Sequence, residues 1–283
     1  MATRGNTGHR VGGGRGLDGM TSIGVVTAPE YLDAVRASGA DHVEPAVVGG
    51  LLVQRDGWWV RSDRYGPEPS PSFALLFPAT VPLSDPRTGP DLVRRWLDLA
   101  LPVIASTAQP GARVVLGSGA ARRVPDGVDP TAAAERFAEV LASTRDRAAE
   151  RGLRIVLEPL HRGETDLVNS IGEAVRFLDT HGIEGVDVVA DLFHVMGEQE
   201  PLEDVARYAH RIGHVHLADG DRRFVGAGGY PWRAFLDLLR TAGYGGAVSL
   251  ECRWGEDVAG ELRTSLRLVR EHLSTSTVAS ATT

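Results

Sequence analysis

The chain has 283 residues, 42% of them apolar and 24% charged, with a formal net charge of −7. Its single cysteine, Cys252, excludes an internal disulfide framework and a Cys-rich zinc or iron–sulfur site, and a chain of this size needs neither in order to fold. All 30 basic residues are Arg, which excludes a lysine Schiff base, lysine-bound pyridoxal phosphate and a P-loop lysine, while the acidic balance does not favour nucleic acid and no apolar run approaches the ~20 residues of a bilayer span.

Residues 1–20 are rich in Gly and Arg and lack the apolar stretch of a secretory signal. They predict a disordered leader and, by default, a cytoplasmic protein. Short β-rich runs then alternate with helical stretches. The predicted strands are Ser22–Thr27, Asp41–Pro45, Ser72–Val81, Ala112–Gly117, Arg154–Pro159, Val186–Asp191, Ile212–Asp219 and Ala247–Cys252. The first helix starts at Pro29, and a second spans Pro90 to Thr107 with a break expected at Pro102. A third runs from Pro130 to Arg151 and stops at Gly152. Ser170 followed by Glu173 reads as a capping box before the next. Further helices are expected around Pro201–Ala209, Trp232–Ala242 and Glu256–Leu273, with a flexible tail over 274–283.

Eight strands alternating with helices point to parallel βαβ units. No G-x-G-x-x-G follows the first strand, so a closed (β/α)₈ barrel (a TIM barrel) forming one domain over 21–273 is preferred to an open doubly wound sheet. The segment 47–71, with Trp58 and Trp59, is a long loop between the second and third strands. Such loops are often functional, and an aromatic-pinned insertion packed over the barrel is the equal alternative.

Each of the last four strands carries a metal-competent residue near its C-terminal end. RIVLEP supplies Glu158, VDVVAD Asp191, HVHLAD His216 and AVSLEC Glu251. Alternation turns neighbours such as Leu157 and Leu250 toward the helices and these four toward the barrel mouth, where active sites of this fold sit. Three carboxylates held together repel one another, and a divalent cation removes that conflict. Three oxygen ligands and one imidazole suit Mn²⁺, Mg²⁺ or Co²⁺, with Zn²⁺ also compatible. His214 shares a face with His216 but lies deeper and reads as a hydrogen-bonded interior residue. His194, one helical turn after Asp191, reads equally as a substrate contact or a local cap.

The segments EPLHRGETDLVNS, DLFHVMGE, HVHLADGDRR with GAGGYPW, and VSLECRW resemble the sugar-phosphate isomerase/epimerase group, the xylose-isomerase-like barrels. The catalytic pattern is most similar to ketose 3-epimerases of the tagatose/psicose type. The resemblance implies one divalent metal, commonly Mn²⁺ or Co²⁺, on Glu158, Asp191, His216 and Glu251. It implies substrate contacts at Glu164, His194 and Arg222, and a mouth position for Glu44 that is as readily structural. Glu158 and Glu251 then exchange a proton α to a carbonyl through a cis-enediolate, giving 3-epimerisation or aldose–ketose isomerisation. The implied partner is a small sugar or sugar derivative, and the implied assembly a homodimer or tetramer.

Two features depart from the pattern. The segment from Gly117 to Arg123 could bind a phosphate or carboxylate, or be a glycine turn with exposed arginines. The Trp58/Trp59 loop hints at a larger or glycosidic substrate. A lyase on the same site, of the inosose dehydratase or 3-oxo-glycoside-cleaving kind, is the main alternative. An AP endonuclease would need further zinc-binding histidines on the third and fourth strands, and SFALLFPATV and ARVVLGS supply none. A non-enzymatic sugar-binding barrel conflicts with the intact constellation.

Overall fold

The structure is a computed structural model and describes residues 22–66 and 68–280; the leader expected over 1–20 and the last residues of the expected tail lie outside it. Eight parallel strands form one sheet. They are β1 (Ile23–Thr27), β2 (His42–Pro45), β5 (Ser70–Phe73), β6 (Ala108–Leu116), β7 (Arg154–Leu157), β8 (Asp187–Asp191), β9 (Ile212–Leu217) and β10 (Val248–Leu250). Their order is β2-β1-β10-β9-β8-β7-β6-β5. The free edges of β2 and β5 meet just past the strands. There Ala74 N–H donates to Pro45 O (3.1 Å), Val47 N–H donates to Ala74 O (2.8 Å), and Ala46 bridges Ala74. The result is a nearly closed (β/α)₈ barrel, as the alternating pattern predicts.

Helices coat the barrel. They are α1 (Leu32–Ala37), α2 (Pro90–Ala105), α3 (Gly119–Arg122), α4 (Pro130–Ala149), α5 (Ile171–Thr180), α6 (Leu192–Gly197), α7 (Leu202–Arg207), α8 (Trp232–Thr241) and α9 (Val258–Ser280). Pro102 sits inside α2 without ending it, and α9 runs on past Leu273. At α4 the Asp129 side chain accepts from the N–H groups of Thr131 and Ala132, and Gly152 beyond the helix takes φ +70°. At α5 the Ser170 hydroxyl accepts from Glu173 N–H (3.1 Å), and the Glu173 carboxylate answers at Asn169 N–H (2.6 Å), one residue earlier than a strict capping box.

The main apolar core lies between strands and helices. Strand residues such as Val25, Phe73, Val114, Leu116, Leu157, Leu217 and Leu250 point into it. Inside the barrel the only separate apolar cluster of buried residues described is Val115, Val156 and Val189. Buried polar side chains, Ser72, Glu44, His214, Ser249 and His216 among them, stand beside it and lead to the mouth.

Two expectations shift. The third strand ends at Phe73, not Val81, because Leu75 takes a left-handed conformation (φ +55°) and Pro78 follows. The long loop contains an antiparallel hairpin, β3 (Leu52–Arg55) with β4 (Trp58–Arg61), turned by Asp56 (φ +51°) and Gly57 (φ +81°). It stands where a crossover helix between β2 and β5 would be. Trp59 packs edge-on against Trp96 (5.2 Å between rings), which pins the hairpin, while Trp58 is 76% exposed.

Candidate functional site

The ladder places the predicted ligands at one level of the mouth. Asp191 of β8 is in register with His216 of β9. Glu158 and Glu251 extend β7 and β10 by one residue, donating their N–H groups to Leu116 O (3.1 Å) and Leu217 O (2.9 Å). Glu158, Asp191, His216 and Glu251 each bring a ligand atom to a cluster in which all such atoms lie within 4.8 Å of one another.

Local structure aims each side chain. Asp191 is both the end of β8 and the N-cap of α6: its Oδ1 accepts from Phe193 N–H (2.8 Å). Its Oδ2 is buried without a hydrogen-bond partner. Gly117 leaves the space Glu158 needs, since a Cβ there would sit 2.1 Å from Glu158 Oε2. His216 has Nδ1 3.1 Å from Glu158 Oε1 and 3.4 Å from Glu251 Oε2, with Nε2 3.1 Å from Glu44 Oε1 on the other side. An orphaned carboxylate oxygen, two further carboxylates and an imidazole facing one point form a donor set that fits a divalent cation.

Burial and charge split the carboxyls. Burial pushes Glu158 up to about 7, only partly offset by its hydrogen bond from His216 and reinforced by Glu251. Burial also raises Asp191, against the opposing pull of Arg222. Burial would raise Glu251 too, but Arg222 and then His216 hold it well below the usual range. Although burial opposes a charged imidazole, Glu44 and Glu251 hold the His216 proton well above the usual histidine range. Without a cation, His216 and Arg222 carry the positive charge that the carboxylates require.

Glu164, His194 and Arg222, matched by resemblance, lie beside this cluster. Arg222 donates to Glu251 Oε2 (2.5 Å) and to His194 Nε2 (2.7 Å), with Glu164 Oε1 3.8 Å away, and lies over the Phe193 ring. A guanidinium can only donate, so His194 Nε2 accepts from Arg222, and on the other side of the ring the His161 backbone N–H donates to Nδ1 (3.1 Å). The Nδ1 atoms of His194 and His161 lie 2.9 Å apart. Burial, then Arg222, depresses His194 to about 3, keeping it neutral. A cavity of about 490 Å³ opens outward from here, lined by His161, Glu164, Phe193, Asp221, Tyr230 and Arg253. A second cavity, about 160 Å³ beside Asp41, His42 and Tyr65, lies on the flank of β2 away from these groups.

One neighbour was not singled out by sequence. His161, three residues after Glu158, stacks on His194 (5.1 Å) and lines the cavity; its spacing in EPLHRGE was the available signal. His214 is buried as expected, but its partner is Glu44, 2.8 Å away. Within the Gly117–Arg123 segment Gly117, Ser118, Ala121 and Arg122 are buried and Arg123 is exposed. Ser118 (φ +47°) accepts from Phe77 N–H, Arg123 donates to Gly163 O, and Arg122 is fully buried and donates to Glu158 O (2.9 Å).

A family model described as "Xylose isomerase-like TIM barrel" matches residues 83–272. The chain is 33% identical over 126 residues to the 3-dehydro-D-guloside 4-epimerase of Escherichia coli (strain K12), covering 44% of this chain and 48% of that protein. It is 33% identical over 125 residues to the D-psicose 3-epimerase of Agrobacterium fabrum, covering 44% and 43%. The matched stretch thus spans less than half the length of either relative. The solved structure of an L-ribulose 3-epimerase shares the fold, with a TM-score of 0.76 over 93% of this chain and 97% of that one at 17% identity. With more than half of its residues inside the family match and eight parallel strands in a nearly closed barrel, the chain belongs to the xylose isomerase-like TIM barrel family.

Proposed function

We propose that the protein is a divalent-metal-dependent sugar isomerase or epimerase, with ketose 3-epimerisation as the leading reaction. One observation carries the reading: two carboxylates with opposed proton affinities, Glu158 and Glu251, share one cluster with Asp191 and His216. Opposed affinities within one site are what an acid–base pair needs. The names of the epimerases it resembles support the same class.

Glu158, Asp191, His216 and Glu251 would hold a divalent cation, Mn²⁺ first and Co²⁺, Mg²⁺ or Zn²⁺ as alternatives, which when bound would supply Lewis-acid polarisation of a sugar carbonyl and so a more acidic adjacent C–H. Glu158 and Glu251 stand on β7 and β10, with β8 and β9 between them. One takes the proton from one face of the α carbon and the other returns a proton to the opposite face. Return to the same carbon epimerises; return to the neighbouring carbon isomerises. Arg222 and the neutral His194 hold substrate oxygens, and Glu164 orients the outer end of the sugar in the cavity.

The test is a panel of ketoses and 3-oxo-glycosides incubated with Mn²⁺-loaded protein in heavy water. The expected result is solvent deuterium at the α carbon of an isomeric product, with Glu158→Gln and Glu251→Gln each slowing exchange ~10²–10⁴-fold. Unchanged exchange in both variants contradicts the assignment, and net loss of water or of an aglycone contradicts the reaction class.

A further inference from the structure

Glu44 lies outside the four-residue cluster, yet it is fully buried at the centre of the barrel. It stands on β2, and its carboxylate reaches across the lumen to β9 on one side and across the closing seam to β5 on the other. Ser72 Oγ–H of β5 donates to Oε2 at 2.7 Å. His214 Nε2 is 2.8 Å from the same oxygen, and His216 Nε2 is 3.1 Å from Oε1. A carboxylate can only accept, so both imidazoles present an N–H to it. The three groups Glu44, His214 and His216 sit close enough to suggest a second cation site. Their separations, however, are those of hydrogen bonds, and Ser72 fills a further acceptor position, so the network is closed on itself.

The consequence falls on His216. Its two ring nitrogens face different things: Nε2 faces Glu44, and Nδ1 faces Glu158 and Glu251. A proton fixed on Nε2 leaves the Nδ1 lone pair as the only one available to a cation. Glu44 also sets the ring plane, because a strand side chain with one nitrogen tied cannot turn about its ring axis. We propose that Glu44 is the positioning residue of the cation site. By accepting from His216 Nε2 it fixes the protonation pattern and orientation in which Nδ1 binds the metal, with His214 and Ser72 holding Glu44 in turn. This rests on the cation site proposed above.

The experiment uses Zn²⁺ and Mn²⁺ alone as probes. In ¹⁵N-histidine spectra of the Zn²⁺-loaded wild type, His216 is expected to show a metal-shifted Nδ1 and a retained, slowly exchanging Nε2–H. Calorimetric titration with Mn²⁺ is expected to show affinity falling ~10–100-fold in Glu44→Met, which has similar bulk and no acceptor. Glu44→Gln, whose amide oxygen still accepts from Nε2, recovers most of that loss, and Ser72→Ala loses less than Glu44→Met. A folded Glu44→Met with wild-type affinity, or a wild-type spectrum in which Nε2 is the coordinated nitrogen, overturns the inference. Should Glu44→Met fail to fold, the wild-type spectrum alone decides. A wild-type chain that binds neither ion overturns the site reading itself, and this inference with it.

Discussion

At the scale of single residues, the site depends on who holds each proton. The Glu158 carboxyl stays protonated up to about 7 because it is buried. Its value in the fold exceeds the ordinary 4.5. The stability it gives the cation-free protein is therefore full below about pH 4.5 and is lost as pH rises toward 7. Cation binding must displace that proton and the one on His216 Nδ1, so Mn²⁺ affinity should rise about tenfold per pH unit below 7 for each proton released. Calorimetry from pH 5.5 to 8 checks this, and a flat profile contradicts it. Gly117→Ala offers a second check. The added Cβ meets Glu158 Oε2 at 2.1 Å, so Mn²⁺ affinity should fall while the far-ultraviolet circular dichroism stays unchanged. The convergence of Glu158, Asp191, His216 and Glu251 was legible because strand alternation fixes which residues face the mouth. Glu44 was visible only as a residue near it. Its partners lie 28, 170 and 172 positions away, and no local period encodes such pairings.

At the scale of elements, the turn after β9 places Arg222. Asp221 and Arg222 both adopt left-handed backbone, φ +59° and +55°, which costs non-glycine residues of order 1–3 kcal/mol each. The buried Asp219 carboxylate offsets this by accepting from the N–H groups of Gly220 (2.8 Å), Gly226 (3.1 Å) and Tyr230 (2.9 Å). Asp219→Ala should therefore lower stability by about 1–3 kcal/mol in urea unfolding and raise KM more than it lowers kcat, as Arg222 loosens. Losing the α5 cap in Ser170→Ala should cost about 1 kcal/mol in the same assay and leave KM unchanged. The β1, β2 and β7–β10 strands were readable because buried parallel strands are short apolar runs between turn signals. The hairpin was written in LVQR-DG-WWVR, a two-residue Asp-Gly turn between β-prone runs. Its flanking glycines and prolines read instead as one long loop. The left-handed turn at Leu75 carried no sequence signal, since Leu seldom adopts that conformation.

At the scale of the whole molecule, the barrel closes at the seam between β2 and β5, and buried polar side chains stand in the lumen beneath the mouth. The Glu44–Ser72 bond crosses that seam. A cation binding the folded state alone then couples mouth and barrel. At 100 times its Kd it adds about 2.7 kcal/mol, which raises the melting midpoint by roughly 5 °C. Asp191→Asn should abolish most of that rise in differential scanning calorimetry. Among the described residues no helix is long and apolar enough to cross a membrane. The most direct measurement is anomalous diffraction from crystals grown in saturating Mn²⁺. One strong manganese peak is expected at the mouth, within bonding distance of Glu158, Asp191, His216 Nδ1 and Glu251. Manganese bound elsewhere, or no peak among these four side chains, would contradict it.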